Sequence, residues 1–208
     1  MILDIPFVKN RGSQCGQANT IAIIKYFYPK KRVTFKEINK VIHAQKDKWT
    51  WPLQITLALK HFGIKAKSFS GNDYLIGQKG INHFKKGFGK DFDYIFKNWI
   101  GWPMYEWAVK TAKKKKLFEV KANPFKELEK MFKKGYIIIA VIDWNVLTGI
   151  KNKPYQGHFV IITGIDKENI YINDPDFGKN LKYSKKLFIK AYTGPELADD
   201  ICVIYGKI

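Results

Sequence analysis

The sequence has few of the residues that mark several classes of protein. Cysteine occurs only at Cys15 and Cys202, and neither a CxxC nor an HxxxH spacing is present. We therefore expect no disulfide framework, no structural zinc site and no cofactor. The longest apolar run, residues 136–142, is far shorter than the roughly 18 residues of a membrane-spanning helix. The first residues include the acidic Asp4 and lack the apolar core of a signal peptide, which predicts a cytoplasmic protein.

Arginine is also scarce, whereas lysine is abundant. The chain has 37 lysines and arginines against 18 acidic residues, a formal net charge of +19, yet only Arg11 and Arg32 are arginines. This charge predicts acidic partners, such as nucleic acid, anionic lipid or an acidic substrate. Because arginine forks most often bind base edges and phosphates, a lysine-dominated surface disfavours nucleic acid as a partner. A non-catalytic basic module that binds nucleic acid stays open as an alternative function.

The hydrophobic residues, 46% of the chain, suffice for a packed core, and their pattern changes along the sequence. Helical periodicity dominates first, and runs rich in Ile, Val and Tyr follow. This order predicts an α+β fold with N-terminal helices packed on a C-terminal antiparallel sheet. No linker is evident, so we expect one domain over residues 1–208, with a helical insertion at about residues 70–120.

The boundaries of the elements follow from caps, prolines and glycines. A Thr34–Glu37 capping box opens one helix, and Asn123 with Pro124 is predicted to open another. The predicted helices cover about residues 15–27, 34–42, 50–62, 91–99, 103–115 and 124–134. The predicted strands cover about residues 64–69, 136–143, 158–164, 169–174 and 201–206, which makes Cys202 a core strand residue.

Cys15 lies where a helix begins, directly after a turn that contains Gly12. The positive end of a helix favours the thiolate form of a cysteine, and Gly16 would leave room for a substrate backbone. The alternative is a small buried cysteine that merely opens an amphipathic helix.

Residues 157–175 are typical of a β-hairpin. If its turn is centred on Asp166, His158 lies directly opposite Asp174 on the same face, with Cβ atoms roughly 5 Å apart. A carboxylate at that distance can orient an imidazole. The alternatives are a core histidine bonded to a backbone carbonyl and an ordinary turn at Asp174.

Cys15, His158 and Asp174 together would supply a nucleophile, a base and a group that orients the base. A thiolate that attacks a carbonyl also needs an oxyanion hole for the tetrahedral oxygen. The backbone N–H of Cys15 is one candidate donor. The second donor is expected to be the side-chain amide of Asn10 or of Gln14.

These motifs resemble the bacteriocin-processing peptidase family, which comprises papain-like cysteine peptidases that cleave after a double-glycine leader. The resemblance lies in residues 4–18, 157–164 and 171–175, and in the helix and strand over 128–143. It spans most of the chain apart from roughly residues 70–120. The resemblance implies a papain-like fold.

The resemblance further implies that Cys15 is the nucleophile, His158 the base and Asp174 the orienting acid. The family pattern has a glutamine five or six residues before its Cys-Gly pair. This chain has Asn10 and Lys9 at those positions, so its oxyanion donor differs from the family's.

The predicted function is that of a cysteine peptidase-like hydrolase that cleaves peptide or amide bonds in a peptide or protein substrate. The positive charge favours an acidic substrate. The same triad supports acyl or peptidyl transfer to an amine or thiol, which is the alternative on the same fold. The tryptophan-rich segment 99–107 is hypothesised to cover the active-site cleft.

Overall fold

The computed structural model describes residues 2–71, 82, 85–86, 90, 92–122, 125–153, 155–193 and 199–208. The helices within these ranges include α1 (Cys15–Phe27), α2 (Phe35–Val41), α3 (Pro52–His61), α4 (Phe92–Trp99), α5 (Trp102–Lys114), α6 (Phe125–Lys133), α7 (Trp144–Thr148) and α8 (Lys185–Tyr192). No helix in the described ranges has the length and apolar composition needed to cross a bilayer.

The described strands form one sheet. They are β1 (Ile64–Ser70), β2 (Phe118–Val120), β3 (Ile137–Asp143), β4 (Gly157–Ile165), β5 (Asn169–Asp174), β6 (Gly178–Ser184) and β7 (Ile201–Lys207). Their order is β2-β1-β7-β3-β4-β5-β6. The β1–β2 pair is parallel, and the other pairs are antiparallel.

The central strand β3 separates two apolar cores, because its successive side chains point to opposite faces. Ile139 and Val141 pack with residues of α1, α2 and α3. Ala140 and Ile142 face the other core, to which α6 and α8 contribute. The α+β fold class is thus confirmed, with helices on both faces of the sheet rather than on one.

Several element boundaries are as predicted, and several elements were missed. Helix α1 and strand β5 have the predicted ends. The capping box is present, since Glu37 N donates to Thr34 Oγ1 and Thr34 N donates to Glu37 Oε2. The prediction overlooked β2, β6, α7 and α8. The predicted cap by Asn123 and Pro124 lies outside the described residues.

The N-terminal segment runs along the β4–β5 hairpin. Leu3 N donates to Thr163 O over 2.7 Å, and the buried Asn173 side chain donates to Ile5 O over 3.0 Å. Asn10 N donates to Pro175 O over 2.8 Å. These bonds place the segment that precedes Cys15 beside the end of β5.

Candidate active site

Cys15 is the first residue of α1 and is partly exposed, whereas the residues after it are buried. The helix is held against the sheet by Asn19, whose Nδ2 donates to Phe159 O on β4 over 2.7 Å. A Cβ on Gly16 would lie 3.1 Å from Cγ2 of Thr50, which is closer than most Cβ contacts. The glycine after Cys15 therefore permits close packing of α1 against the segment before α3.

His158 and Asp174 are in contact, with Nε2 of the imidazole 3.0 Å from Oδ1 of the carboxylate. The predicted register was nevertheless wrong. Ile161 pairs with Asn173, and the register shifts between Ile162 and Gly164. His158 and Asp174 are consequently diagonal neighbours on one face, a separation that two long polar side chains can span.

Cys15 also lies near enough to the His158 imidazole to influence its pKa. Because Nε2 faces Asp174, Nδ1 is the ring nitrogen left for the thiol. Burial alone lowers the pKa of His158, but the hydrogen bonds and negative charges of Asp174 and Cys15 outweigh it and raise the pKa to about 10. The arrangement therefore favours the protonated form of the imidazole.

Asp174 is fully buried, and its charge needs compensation. Oδ1 accepts hydrogen bonds from His158 and from Asp176 N, at 3.0 and 2.9 Å. Among the described residues, Oδ2 has no hydrogen-bond partner. The protonated imidazole is thus the cation that this buried carboxylate contacts directly.

Trp144 covers the imidazole. Its ring centroid lies 4.5 Å from that of His158, and the exposed Phe177 ring stacks on Trp144 with centroids 4.7 Å apart. Such cover keeps water from the His158–Asp174 bond, which strengthens it. Trp144 follows β3 directly, where Asp143 Oδ1 accepts from Asn145 N and caps α7.

Both predicted oxyanion donors contact neighbours, Asn10 through its N–H groups and Gln14 through its carbonyl oxygen. Asn10 Nδ2 donates to Gly12 O at 2.6 Å and to Asp176 Oδ1 at 2.8 Å. Gln14 Oε1 accepts a hydrogen bond from Asn39 Nδ2 at 3.1 Å. Both amides lie in the turn that precedes the nucleophile candidate, since Gln14 N also donates to Asn10 Oδ1.

Asp176 was not identified from the sequence. Its Oδ2 lies 3.9 Å from Nδ1 of His158, so it connects the Asn10 amide to the imidazole. The sequence spacing could have identified Asp176 as a site residue, because it follows Asp174 by two residues and extends the same side of the hairpin. His158, Asp174 and Asp176 also place potential metal-ligand atoms within 4.8 Å of one another.

The hypothesis that residues 99–107 cover the site is not what the described side chains show. Tyr105 is 1% exposed, and its ring lies 4.6 Å from Trp51 and 5.5 Å from Trp102. These residues therefore support Trp51 from behind. Trp51, in turn, lines a pocket beside Cys15.

Cys202 differs from Cys15 in every respect that matters for reactivity. It lies in β7, is 1% exposed and contacts Thr56 Oγ1 at 3.2 Å. Burial raises the pKa of the Cys202 thiol to about 12, although the Thr56 hydrogen bond opposes the shift. Both cysteines are free thiols, and Cys202 is confirmed as a core strand residue.

Solved structures share the fold at low sequence identity. A proposed C39-like peptidase from Bacillus anthracis aligns with a TM-score of 0.54 and 15% identity, over 99% of this chain and 97% of its own. A double-glycine motif protease from an AMS/PCAT transporter, in complex with the leader peptide, has a TM-score of 0.51 and 17% identity, over 100% and 94%. The peptidase domain of Streptococcus ComA has a TM-score of 0.50 and 15% identity, over 98% of each chain.

No curated protein matches the chain. A family model does match, over residues 2–195, and this span includes the three residues of the predicted triad. The chain therefore belongs to the Peptidase_C39 like family.

Proposed function

We propose that this protein is a cysteine peptidase in which Cys15 is the nucleophile, His158 the base and Asp174 the group that orients the base. The observation that carries the proposal is the hydrogen bond between His158 and the buried Asp174, with Cys15 near enough to the imidazole to influence its pKa. Membership of a peptidase family supports it.

The chemistry follows from the geometry. His158 accepts the Cys15 proton, and the thiolate attacks the carbonyl carbon of the scissile amide. The tetrahedral oxyanion is stabilised by the Cys15 backbone N–H, at the start of α1, and by the amide of Asn10 or Gln14. The imidazolium then protonates the leaving amine, and the C–N bond breaks to leave a thioester.

The second half of the reaction returns the enzyme to its first state. His158, now neutral, removes a proton from water as the water attacks the thioester carbonyl. The C–S bond breaks, and the Cys15 thiolate re-forms beside the imidazolium. Throughout both steps Asp174 fixes the ring through Nε2 and keeps Nδ1 directed at the reacting atoms.

We propose a peptide or protein segment as the substrate. The support is that the transporter protease with the same fold was solved with its leader peptide bound. The net charge of +19 favours substrates with acidic segments at long range.

Thiol labelling tests the nucleophile. With iodoacetamide at pH 7, Cys15 should react about 100-fold faster than the buried Cys202, as judged by peptide mass spectrometry. His158→Ala should slow Cys15 labelling to the rate of an ordinary thiol, and His61→Ala, at an exposed position, should leave it unchanged. Equal slow labelling of both cysteines, unaffected by His158→Ala, would refute the proposal.

A peptide assay distinguishes hydrolysis from transfer. Incubation with peptide pools should yield the free carboxyl product, and Cys15→Ala should abolish it. If an added amine such as glycine amide is incorporated instead of water, the enzyme is an acyl transferase on the same triad.

A further inference from the structure

A pocket of about 50 Å³ opens beside Cys15. It lies on the α1 face of the sheet, since Val141 and Phe159 of its lining belong to the core on that face. Gly157, the neighbour of His158, also lines it. A side chain that enters this pocket therefore belongs to a substrate residue close to the scissile bond.

Aromatic rings form the walls of the pocket. Trp51 is 7% exposed and is supported by Tyr105, with ring centroids 4.6 Å apart. Trp49 meets Tyr155 edge to face, with centroids 6.1 Å apart. Gly157 makes room for Tyr155, because a Cβ there would lie 3.0 Å from the Tyr155 hydroxyl. The walls are thus held by packing before any ligand arrives.

The pocket also contains a carboxylate. Asp200 is 5% exposed and immediately precedes β7. Its backbone is fixed to the central strand, since Val141 N donates to Asp200 O over 3.0 Å. By strand alternation Asp200 shares a face with Cys202 and Ile204, which is the face of α1.

An acidic residue lines the pocket although the protein as a whole is strongly positive. Burial raises the pKa of the Tyr155 hydroxyl far above its usual range, and the charges of Asp200 and Asp143 add to the shift. The tyrosine therefore stays a neutral hydrogen-bond donor. Surface lysines are screened by salt beyond about 10 Å, whereas a buried carboxylate acts on its immediate surroundings.

We propose that this pocket recognises a cationic side chain, lysine or arginine, in one of the two substrate residues on the amino side of the scissile bond. The aromatic faces attract a cation, and the buried Asp200 carboxylate compensates its charge. This inference rests on the proposed function, because it takes Cys15 as the nucleophile. It adds a substrate class that a double-glycine site would not select.

Covalent probes test the pocket without requiring turnover. Peptidyl acyloxymethyl ketones that alkylate a nucleophilic cysteine would carry arginine or the shorter, uncharged norleucine, at either of the two positions, with glycine at the other. The rate of Cys15 alkylation is read by mass spectrometry. We expect at least one arginine probe to react about 10-fold faster than its norleucine counterpart.

Asp200→Asn is the informative variant, since it removes the charge and keeps the shape. It should abolish the preference, so that the arginine and norleucine probes react at similar rates. Asp199→Asn is the matched control, because the Asp199 carboxylate accepts a hydrogen bond from Gly71 N and does not line the pocket. It should retain the preference.

The two proposals fail in different ways. A faster reaction with norleucine or Gly-Gly probes than with arginine probes, or an arginine preference that survives Asp200→Asn, would overturn the pocket assignment and leave Cys15 as nucleophile. If no probe alkylates Cys15 and iodoacetamide also shows no selectivity for it, both proposals are overturned.

Discussion

The side-chain amide of Asn10 donates a hydrogen bond to the carboxylate of Asp176 over 2.8 Å. Asp176 also lies 3.9 Å from Nδ1 of His158, so the turn before Cys15 and the turn after β5 meet at the imidazole. The amide that replaces the family glutamine is thus positioned by an acidic residue outside the proposed triad. In this state its N–H groups bond to protein oxygens, and an oxyanion would have to take one of them over.

Asn10→Ala should lower kcat by about 100-fold, with little change in KM, because an oxyanion donor acts on the transition state. Asp176→Ala keeps the Asn10 amide but removes the carboxylate that positions it, so it should lower kcat by about 10-fold. Steady-state kinetics on a cleaved peptide measure both. A larger loss in Gln14→Ala than in Asn10→Ala would assign the donor to Gln14 instead.

The pKa of about 10 for His158 predicts an alkaline limit to peptide cleavage. The imidazolium must donate a proton to the leaving amine, so kcat/KM should fall as the pH rises through this value. Alkylation of Cys15 needs no such proton and should not fall over the same range. The folded state also binds this proton more tightly than the unfolded chain does. The resulting stabilisation is therefore complete below about pH 6.5 and is lost as the pH approaches 10. A kcat/KM profile that falls already near pH 6.5 would contradict the ion-pair arrangement.

Asp174→Asn should retain the hydrogen bond to Nε2 but lose the charge. We expect about a 10-fold loss in kcat and a shift of the alkaline limit to lower pH, since a buried anion no longer stabilises the imidazolium. Asp174→Ala should cost about 100-fold or more, because the ring also loses its orientation. An unchanged pH profile in Asp174→Asn would show that the carboxylate has only a structural role.

Trp144→Ala should expose the imidazole to water. Water weakens the His158–Asp174 hydrogen bond, so kcat should fall by about 10-fold. The pH at which peptide cleavage falls should again be lower. Trp144→Phe keeps an aromatic cover and should recover most of the activity. Loss of stability without any change in the pH profile would refute a role for the ring at the site.

Asn19→Ala should destabilise the protein by about 1–3 kcal/mol, because it removes a buried hydrogen bond between α1 and β4. Urea unfolding of Asn19→Ala and of its control measures the free energy of unfolding. Asn98→Ala is the control: Asn98 Nδ2 donates to the backbone oxygen of Tyr94 at an exposed site, and its loss should cost under about 0.5 kcal/mol. Equal costs at the two sites would show that Asn19 does not hold α1 to the sheet.

The sequence predicted the elements whose residues carry a strong apolar pattern. Strand β3 is buried along its whole length and was readily identified. Strand β6 escaped because it is a half-exposed edge strand of mostly polar residues, Gly178–Ser184, without clear alternation. The parallel β1–β2 pair joins segments that are distant in sequence, which local patterns do not reveal. The one-domain organisation and the cytoplasmic location remain predictions.

The site was partly predictable for a similar reason. Cys15, His158 and Asp174 lie at ends of regular elements. The alternation of side chains along β4 and β5 was enough to place His158 and Asp174 on one face. The register was not predictable, because the irregularity between Ile162 and Gly164 depends on tertiary packing. The pocket was missed because Trp51, Tyr155 and Asp200 come from three separate segments of the chain.

The path of the N-terminal segment along the β4–β5 hairpin has a consequence for biosynthesis. Residues 2–10 leave the ribosome well before their hydrogen-bond partners Thr163, Asn173 and Pro175. Contacts of such long sequence separation form late in folding. Cys15 therefore has no His158 imidazole beside it until the β4–β5 hairpin has emerged from the ribosome, and the nascent chain carries an unactivated thiol over that interval.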